Sequence, residues 1–310
     1  MKLSKLWSRE TPHTSTMLTG CPTIVSGRNG LAIVAIMKNE ARNIVDWIRF
    51  HALAGVQDFF LYDDGSTDST AELARGVPNV NVTLIPWKLT ASCLTPKVKF
   101  SRQVLAYCHA IENFGGPFRW MGFIDIDEYI VPKADDTIMT VLGGLEQFTN
   151  ISLPWTMFGP NGHDTPSDLP APFAFTTRAR DRAAPLLNFK CIIDPTDTLE
   201  VRVHRFRTHQ MGRTSASEAG KVSHYKERNK ADFLSDAALQ LNHYYTRSHQ
   251  ELQEKLSKGA VSDSPLDRRG RKIMEKLEVI EKTAVEDRCA LDFLQRHGVN
   301  DGQGLRTHSL

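Results

Sequence analysis

Asp125 and Asp127 stand one residue apart, directly after the apolar run Trp120-Met121-Gly122-Phe123-Ile124. If the strand continues through them, its period of two turns both carboxylates to one side. Mg²⁺ and Mn²⁺ take oxygen ligands, commonly one or two carboxylates completed by substrate phosphates. The pair therefore reads as an anchor for a metal and a diphosphate, against the plainer reading of acids that open a loop. The same alternation turns Glu128 to the opposite face, where it reads as structural. Asp63-Asp64-Gly65-Ser66 is a second acidic turn. Gly65 permits tight backbone geometry, and Asp63 and Asp64 can accept hydrogen bonds from a base N–H or ribose hydroxyls; an ordinary Asx turn is the alternative. Glu40, in Lys38-Asn39-Glu40, reads as a nucleoside contact or as a carboxylate favoured at a helix start. His243 could be a third ligand for Mn²⁺ or a donor to phosphate, or one member of a packed aromatic cluster with Tyr244 and Tyr245. Lys97, Lys99, Arg102, Arg178, Arg180, Arg182 and Lys190 are cations that could steady a departing diphosphate. Lys190 is singled out because it sits inside the apolar stretch Phe189-Lys190-Cys191-Ile192-Ile193.

These residues need elements to hold them. Leu31–Met37 is a continuous apolar run, as in a strand buried on both faces. An amphipathic pattern follows, with Ile44, Trp47, Ile48, His51 and Leu53 near one face and Gly55 at its end. Phe59–Tyr62 reads as a second buried strand. Ser69-Thr70-Ala71-Glu72 reads as a capping box that opens a helix. Residues 80–85 alternate as a third strand. Phe100 to Phe114 mark another helix, and residues 120–124 a fourth strand. The order β-α-β-α-β predicts a doubly wound, mostly parallel α/β sheet. In such sheets ligands bind at the carboxyl ends of the strands, where Glu40, Asp63, Asp64 and Asp125 fall. Further on, residues 151–158, 189–193 and 200–204 read as strands, and residues 159–185 as a loop over the site. Residues 248–258 read as a helix capped by Ser248 and Glu251, and roughly 270–297 as one amphipathic helix.

Composition sets outer bounds. The 310 residues carry 38 Lys+Arg against 36 Asp+Glu, so net charge gives no case for a nucleic-acid partner. The five cysteines are odd in number and lack metal-type spacing, which fits free thiols in a cytoplasmic setting. No apolar run approaches the ~20 residues that span a bilayer. A soluble protein is expected, with peripheral membrane association left open.

Three separated motifs carry a resemblance. Ala35-Ile36-Met37-Lys38-Asn39-Glu40 with Trp47, His51 and Leu61-Tyr62-Asp63-Asp64-Gly65-Ser66-Thr67-Asp68 resembles the opening of GT-A glycosyltransferases of the family 2 type. Residues 120–129 resemble the D-x-D strand of the subgroup related to glycosyltransferase family 92. Asn242-His243-Tyr244-Tyr245-Thr246-Arg247-Ser248, with Glu251, Lys255 and Gly259, is similar to that subgroup's C-terminal motif. The resemblance implies a GT-A fold over residues 31–262, between an N-terminal extension (1–30) and a C-terminal helical tail (263–310). It implies an inverting hexosyltransferase that uses a nucleotide-sugar donor, a UDP-sugar above all, a glycan or other hydroxyl acceptor, and Mn²⁺ or Mg²⁺. It implies base and ribose contacts at Glu40, Asp63 and Asp64, metal and diphosphate contacts at Asp125 and Asp127, and a further metal ligand at His243.

Inversion needs a base for the acceptor hydroxyl. The acid pair that usually supplies it is not evident here. Asp164, in the loop Gly159-Pro160-Asn161-Gly162-His163-Asp164, is the candidate, with His163 its rival and loop capping the plainer role. Two other readings stand beside this one. A phosphatase of the haloacid-dehalogenase type would use Asp125 as nucleophile, but its motif ends the first strand of its fold. A non-catalytic nucleotide-sugar-binding protein would share the fold without the chemistry.

Overall fold

β1 (Leu31–Met37), α1 (Ile44–Leu53), β2 (Asp58–Asp63), α2 (Thr70–Arg75), β3 (Asn81–Pro86), α3 (Arg102–Phe114) and β4 (Trp120–Phe123) follow one another in the computed structural model. It describes residues 13–93, 97–133, 137–182, 184–257 and 266–308. β4, β1, β2 and β3 lie side by side, all parallel. Alternate residues of β1 explain its unbroken apolar run. Leu31, Ile33 and Ala35 pack in the cluster that holds Ile44, Trp47 and Ile48 of α1. Ala32 and Val34 pack in the cluster with Val104, Tyr107 and Ile111 of α3. Helices on both faces leave no polar side to the strand. The α/β class and the mostly parallel sheet are as the sequence predicts.

Beyond β4 the chain supplies β5 (Glu128–Pro132), β6 (Asn150–Met157), β7 (Thr177–Ala179), β8 (Phe189–Ile193), β9 (Thr198–Arg202), β10 (Arg205–Thr208) and β11 (Leu239–His243). β8 joins β4 antiparallel, and β6 joins β8 antiparallel. β11 runs parallel to β6 and antiparallel to β5, with His243 opposite Glu128. β9 and β10 form a hairpin. Then come α4 (His249–Ser257), α5 (Leu266–Lys282), β12 (Ala284–Glu286), α6 (Cys289–Arg296) and α7 (Gly302–Thr307).

Four local expectations change. Asp125-Ile126-Asp127 is a turn rather than a strand extension, closed by the Glu128 N–H on the Asp125 carbonyl at 3.0 Å. Ser69 makes no side-chain cap; Asp68 instead accepts from the Thr70 N–H at 3.1 Å. Residues 159–185 contain β7 and a short helix, Ala171–Ala174. The long tail helix stops at Lys282, and the chain then pairs as β12 with β7.

The described residues on either side of 31–262 are joined to the sheet domain. Met17–Leu18 pairs with β9, and Arg28 forks onto Asp194 at 2.8 and 2.7 Å. Ile280, Phe293, Leu294, Val299 and Leu305 are buried in the cluster that contains α1. Among the described residues no helix is long and apolar enough to cross a membrane. Cys21, Cys108, Cys191 and Cys289 are free thiols.

Candidate active site

The carboxyl ends of β1, β2 and β4 carry the acids. The Asn39-Glu40 loop and the Asp63–Asp68 turn are bound to each other. The Asn39 N–H donates to Ser66 Oγ at 3.0 Å, and Asn39 Oδ1 accepts from the Thr67 N–H at 2.8 Å. Asp63 closes its own turn by accepting from the Ser66 N–H at 2.8 Å, and Gly65 takes φ +76°. The Asx-turn alternative is thus realised at Asp63. Asp64 is buried; Arg102 Nη1 donates to its Oδ1 at 2.6 Å, and its Oδ2 has no partner. Burial pushes the Asp64 carboxyl up against the pull of Arg102. The Ser101 hydroxyl caps α3, and that cap aims two consecutive residues, Arg102 at Asp64 and Gln103 at Asp125 Oδ1 (2.9 Å).

The turn after β4 separates its two aspartates. Asp125, a third exposed, pairs with Lys190 at 2.8 Å. Lys190 is 1% exposed and also lies 3.4 Å from Glu128. Burial pushes its ammonium down, but Asp125 and Glu128 more than offset this and hold it protonated. Asp127 turns the other way, to Lys255 Nζ at 2.9 Å and His243 Nε2 at 3.4 Å. Those two neighbours outweigh burial and keep the Asp127 carboxyl well below the usual range.

Glu128 is fully buried and central. It accepts from the Asp125 N–H at 2.8 Å and from Trp155 Nε1 at 2.7 Å, and His243 Nδ1 lies 3.9 Å away. Burial pushes its carboxyl up. Burial lowers the His243 imidazole, with Asp127 opposing, so the ring is held toward its neutral form. His243 Nδ1 is buried without a hydrogen-bond partner. One oxygen each from Asp127 and Glu128 and one nitrogen of His243 lie within 4.8 Å of one another. Two carboxylates and a neutral imidazole with an orphaned nitrogen form a donor set suited to Mn²⁺ and tolerated by Mg²⁺. The residues fit a metal.

The frame around this group explains two motif residues. Trp47 Nε1 donates to the Glu128 carbonyl at 2.8 Å, and His51 Nε2 accepts the Ile130 N–H at 3.2 Å. One helical turn of α1 therefore fixes the backbone of β5 on both sides of Tyr129. Arg247, in left-handed geometry at φ +51°, donates to Glu40 at 3.1 Å and to the Ile126 carbonyl at 3.4 Å. It ties the nucleoside-side loop to the acidic turn. Ser248 and Glu251 form the reciprocal capping box expected of them, at 3.1 and 3.2 Å. That box starts α4 where Lys255 meets Asp127.

Of the residues singled out from sequence, Asp125, Asp127, His243 and Lys190 share this cluster, while Glu40, Asp63 and Asp64 line the adjoining loops. Asp164 is exposed, and its backbone carbonyl accepts the Gln250 N–H at 2.9 Å. His163 Nε2 is engaged by the Ala174 carbonyl at 3.0 Å. Arg178 and Arg182 serve Asp287 and Asp236 instead of the cluster. Glu128, Lys255 and Arg247 join it without having been assigned roles there. For Lys255 and Arg247 the available signal was their place in the motif Asn242–Ser248 with Glu251 and Lys255.

The sequence profile of glycosyltransferase family 92 matches residues 34–263. A family 92 protein of Oryza sativa subsp. japonica is 28% identical over 116 residues, which are 37% of this chain and 18% of the relative. One of Ricinus communis is 26% identical over 219 residues, 64% of this chain and 35% of the relative. The chain thus spans about a third or less of the length of these curated relatives. Among solved structures, a mycobacterial protein is 14% identical with a TM-score of 0.36, over 82% of this chain and 76% of that one. Glucosyl-3-phosphoglycerate synthase of Mycobacterium tuberculosis, solved with Mn²⁺, UDP-glucose and phosphoglyceric acid, is 18% identical with a TM-score of 0.28, over 44% and 45% of the two chains.

Proposed function

Because the chain belongs to glycosyltransferase family 92, we propose that it transfers a sugar, with inversion, from a nucleotide-sugar donor to a hydroxyl acceptor. The observation that supports this most directly is the clustered trio Asp127, Glu128 and His243 beside the two nucleoside-side loops. Asp127, Glu128 and His243 would hold Mn²⁺ or Mg²⁺, and Asp125, partly exposed at the same turn, would contact the donor. Such a metal supplies charge stabilisation for a departing diphosphate. Asp64 Oδ2, buried and unpartnered, suits a base or ribose donor. Arg102 keeps Asp64 in place, and Arg247 keeps Glu40 there. Lys190 holds Asp125 against the buried Glu128, so the acidic turn keeps one geometry. A UDP-sugar and a glycan are the donor and acceptor that the family suggests.

A panel of UDP, GDP and ADP and their sugars, each with Mn²⁺, tests the reading through thermal stabilisation, because a ligand that binds only the folded state raises its stability. One nucleotide should raise Tm in a metal-dependent way, and its sugar should hydrolyse slowly without an acceptor. No stabilisation by any member, or turnover of a generic phosphoester instead, would overturn it. Asp164→Asn that spares nucleotide binding but removes transfer would identify the base.

A further inference from the structure

The apolar stripe of α5 runs through Ile273, Leu277 and Ile280, all buried. A helix that packs on a core wants apolar residues at i, i+3, i+4 and i+7. The i+3 place in this stripe is Lys276. Its ammonium lies 5.5 Å from the Trp155 ring centroid and 5.1 Å from that of Tyr245. Both rings wall the metal-candidate trio. Trp155 lies 4.4 Å from the His243 ring and donates to Glu128, and Tyr245 lies 5.2 Å from the His243 ring. Lys255 Nζ lies 4.7 Å from the same Tyr245 ring. Among the described residues no carboxylate lies within 4 Å of Lys276 Nζ. Burial, and then the like charges of Lys255 and Lys272, push its pKa down. A half-buried lysine on an apolar stripe, facing like charge, is costly for stability, and attraction to the two rings offsets only part of that cost. An anion placed beside it would relieve that cost.

We propose that Lys276, supplied by the tail helix outside the family-matched residues 34–263, is a binding residue for the diphosphate of the nucleotide, acting with Lys255 across the Tyr245 ring. The inference rests on the proposed transferase reading and deepens it. α5 is well placed for this. β12 pairs with β7 immediately after it, and Ile273 and Leu277 pack with Leu252 of α4. The two lysine-bearing helices therefore hold each other.

Lys276→Met keeps the aliphatic stem against the rings and removes the charge, and Lys276→Arg restores it. Binding of the nucleoside diphosphate selected by the panel, and of its parent nucleoside, is measured by calorimetry with Mn²⁺ on the full chain. Charge-assisted hydrogen bonds contribute enough that Lys276→Met should weaken the diphosphate about tenfold or more. The nucleoside should bind unchanged, and Lys276→Arg should recover most of the loss. The ligand-free Tm of Lys276→Met should equal or exceed that of wild type. Equal diphosphate affinity in wild type and Lys276→Met overturns this inference alone. A wild type that binds no nucleoside diphosphate overturns the transferase reading and this inference with it.

Discussion

At the scale of single residues, the cluster turns on which group faces which. Asp127→Ala and His243→Ala should each abolish the metal-dependent part of nucleotide stabilisation while leaving the metal-free Tm within a few degrees of wild type; retention of that part in both variants would remove them as ligands. Lys190→Met should cost about 3 kcal/mol in urea unfolding, since it leaves Glu128 buried with no cation beside it. Asp63, Asp64, Asp125, Asp127 and Lys190 were legible because each interrupts or ends an apolar run, and a polar residue in such a place asks for a reason; His243 was legible through its place in the motif Asn242–Ser248. Glu128 was not. Strand alternation sent it to the far face, but the hydrogen bond that closes the turn at Asp125 cancels the alternation. Its carboxylate then points back into the group it seemed to leave.

At the scale of elements, the site is a set of short segments held from behind. α1 does this for β5 through His51, which is fully buried. Its Nδ1 meets the Trp47 carbonyl at 2.9 Å and its Nε2 takes the Ile130 N–H, so only the neutral ring satisfies both. Burial, partly opposed by that carbonyl, lowers its pKa to about 3. An unfolded histidine titrates near ~6.5. Between those values the unfolded chain binds the extra proton, so this contribution is complete above the unfolded pKa and is lost as pH falls toward 3. His51→Gln should therefore be less stable at pH 7, by about 2 kcal/mol, and the gap to wild type should narrow as pH drops from 7 to 5. A constant gap across that range would show that the ring's protonation is irrelevant. The β-α-β order and the α4 capping box could be read because local periodicity and Ser248–Glu251 spacing determine them. The pairing of β7 with β12 could not, since its partners lie far apart in sequence; the hairpin of β9 and β10 is local, but residues 200–204 read as one strand running through its turn at Val203-His204.

At the scale of the whole molecule, the segments that looked like appendages complete the core. Phe293 is fully buried and lies 5.1 Å from Phe50 of α1. Phe293→Ala should cost about 3–5 kcal/mol, seen as a large fall in Tm; a surface-like loss below about 1 kcal/mol would mean that the tail docks loosely. Arg306 forks onto Asp46 at 2.9 and 2.8 Å, and Arg296 reaches the Pro132 carbonyl at 3.0 Å. In sequence these residues read as a separate tail because the motifs that carry the resemblance end before them and the charged stretch 270–297 reads as one amphipathic helix. The segment is instead a set of short elements, each burying a few side chains against the sheet domain.

The β7–β12 pair extends this to motion. Arg178 and Ala179 lie between the Phe158–Gly159 backbone on one side and Ala284 and Val285 on the other. Part of the loop expected to meet the acceptor, Thr177–Ala179, is therefore one strand of a shared ladder. Its backbone amides should not fray independently. In native-state hydrogen exchange, residues 177–180 and 284–287 should lose protection together, at one denaturant concentration, as a single cooperative unit.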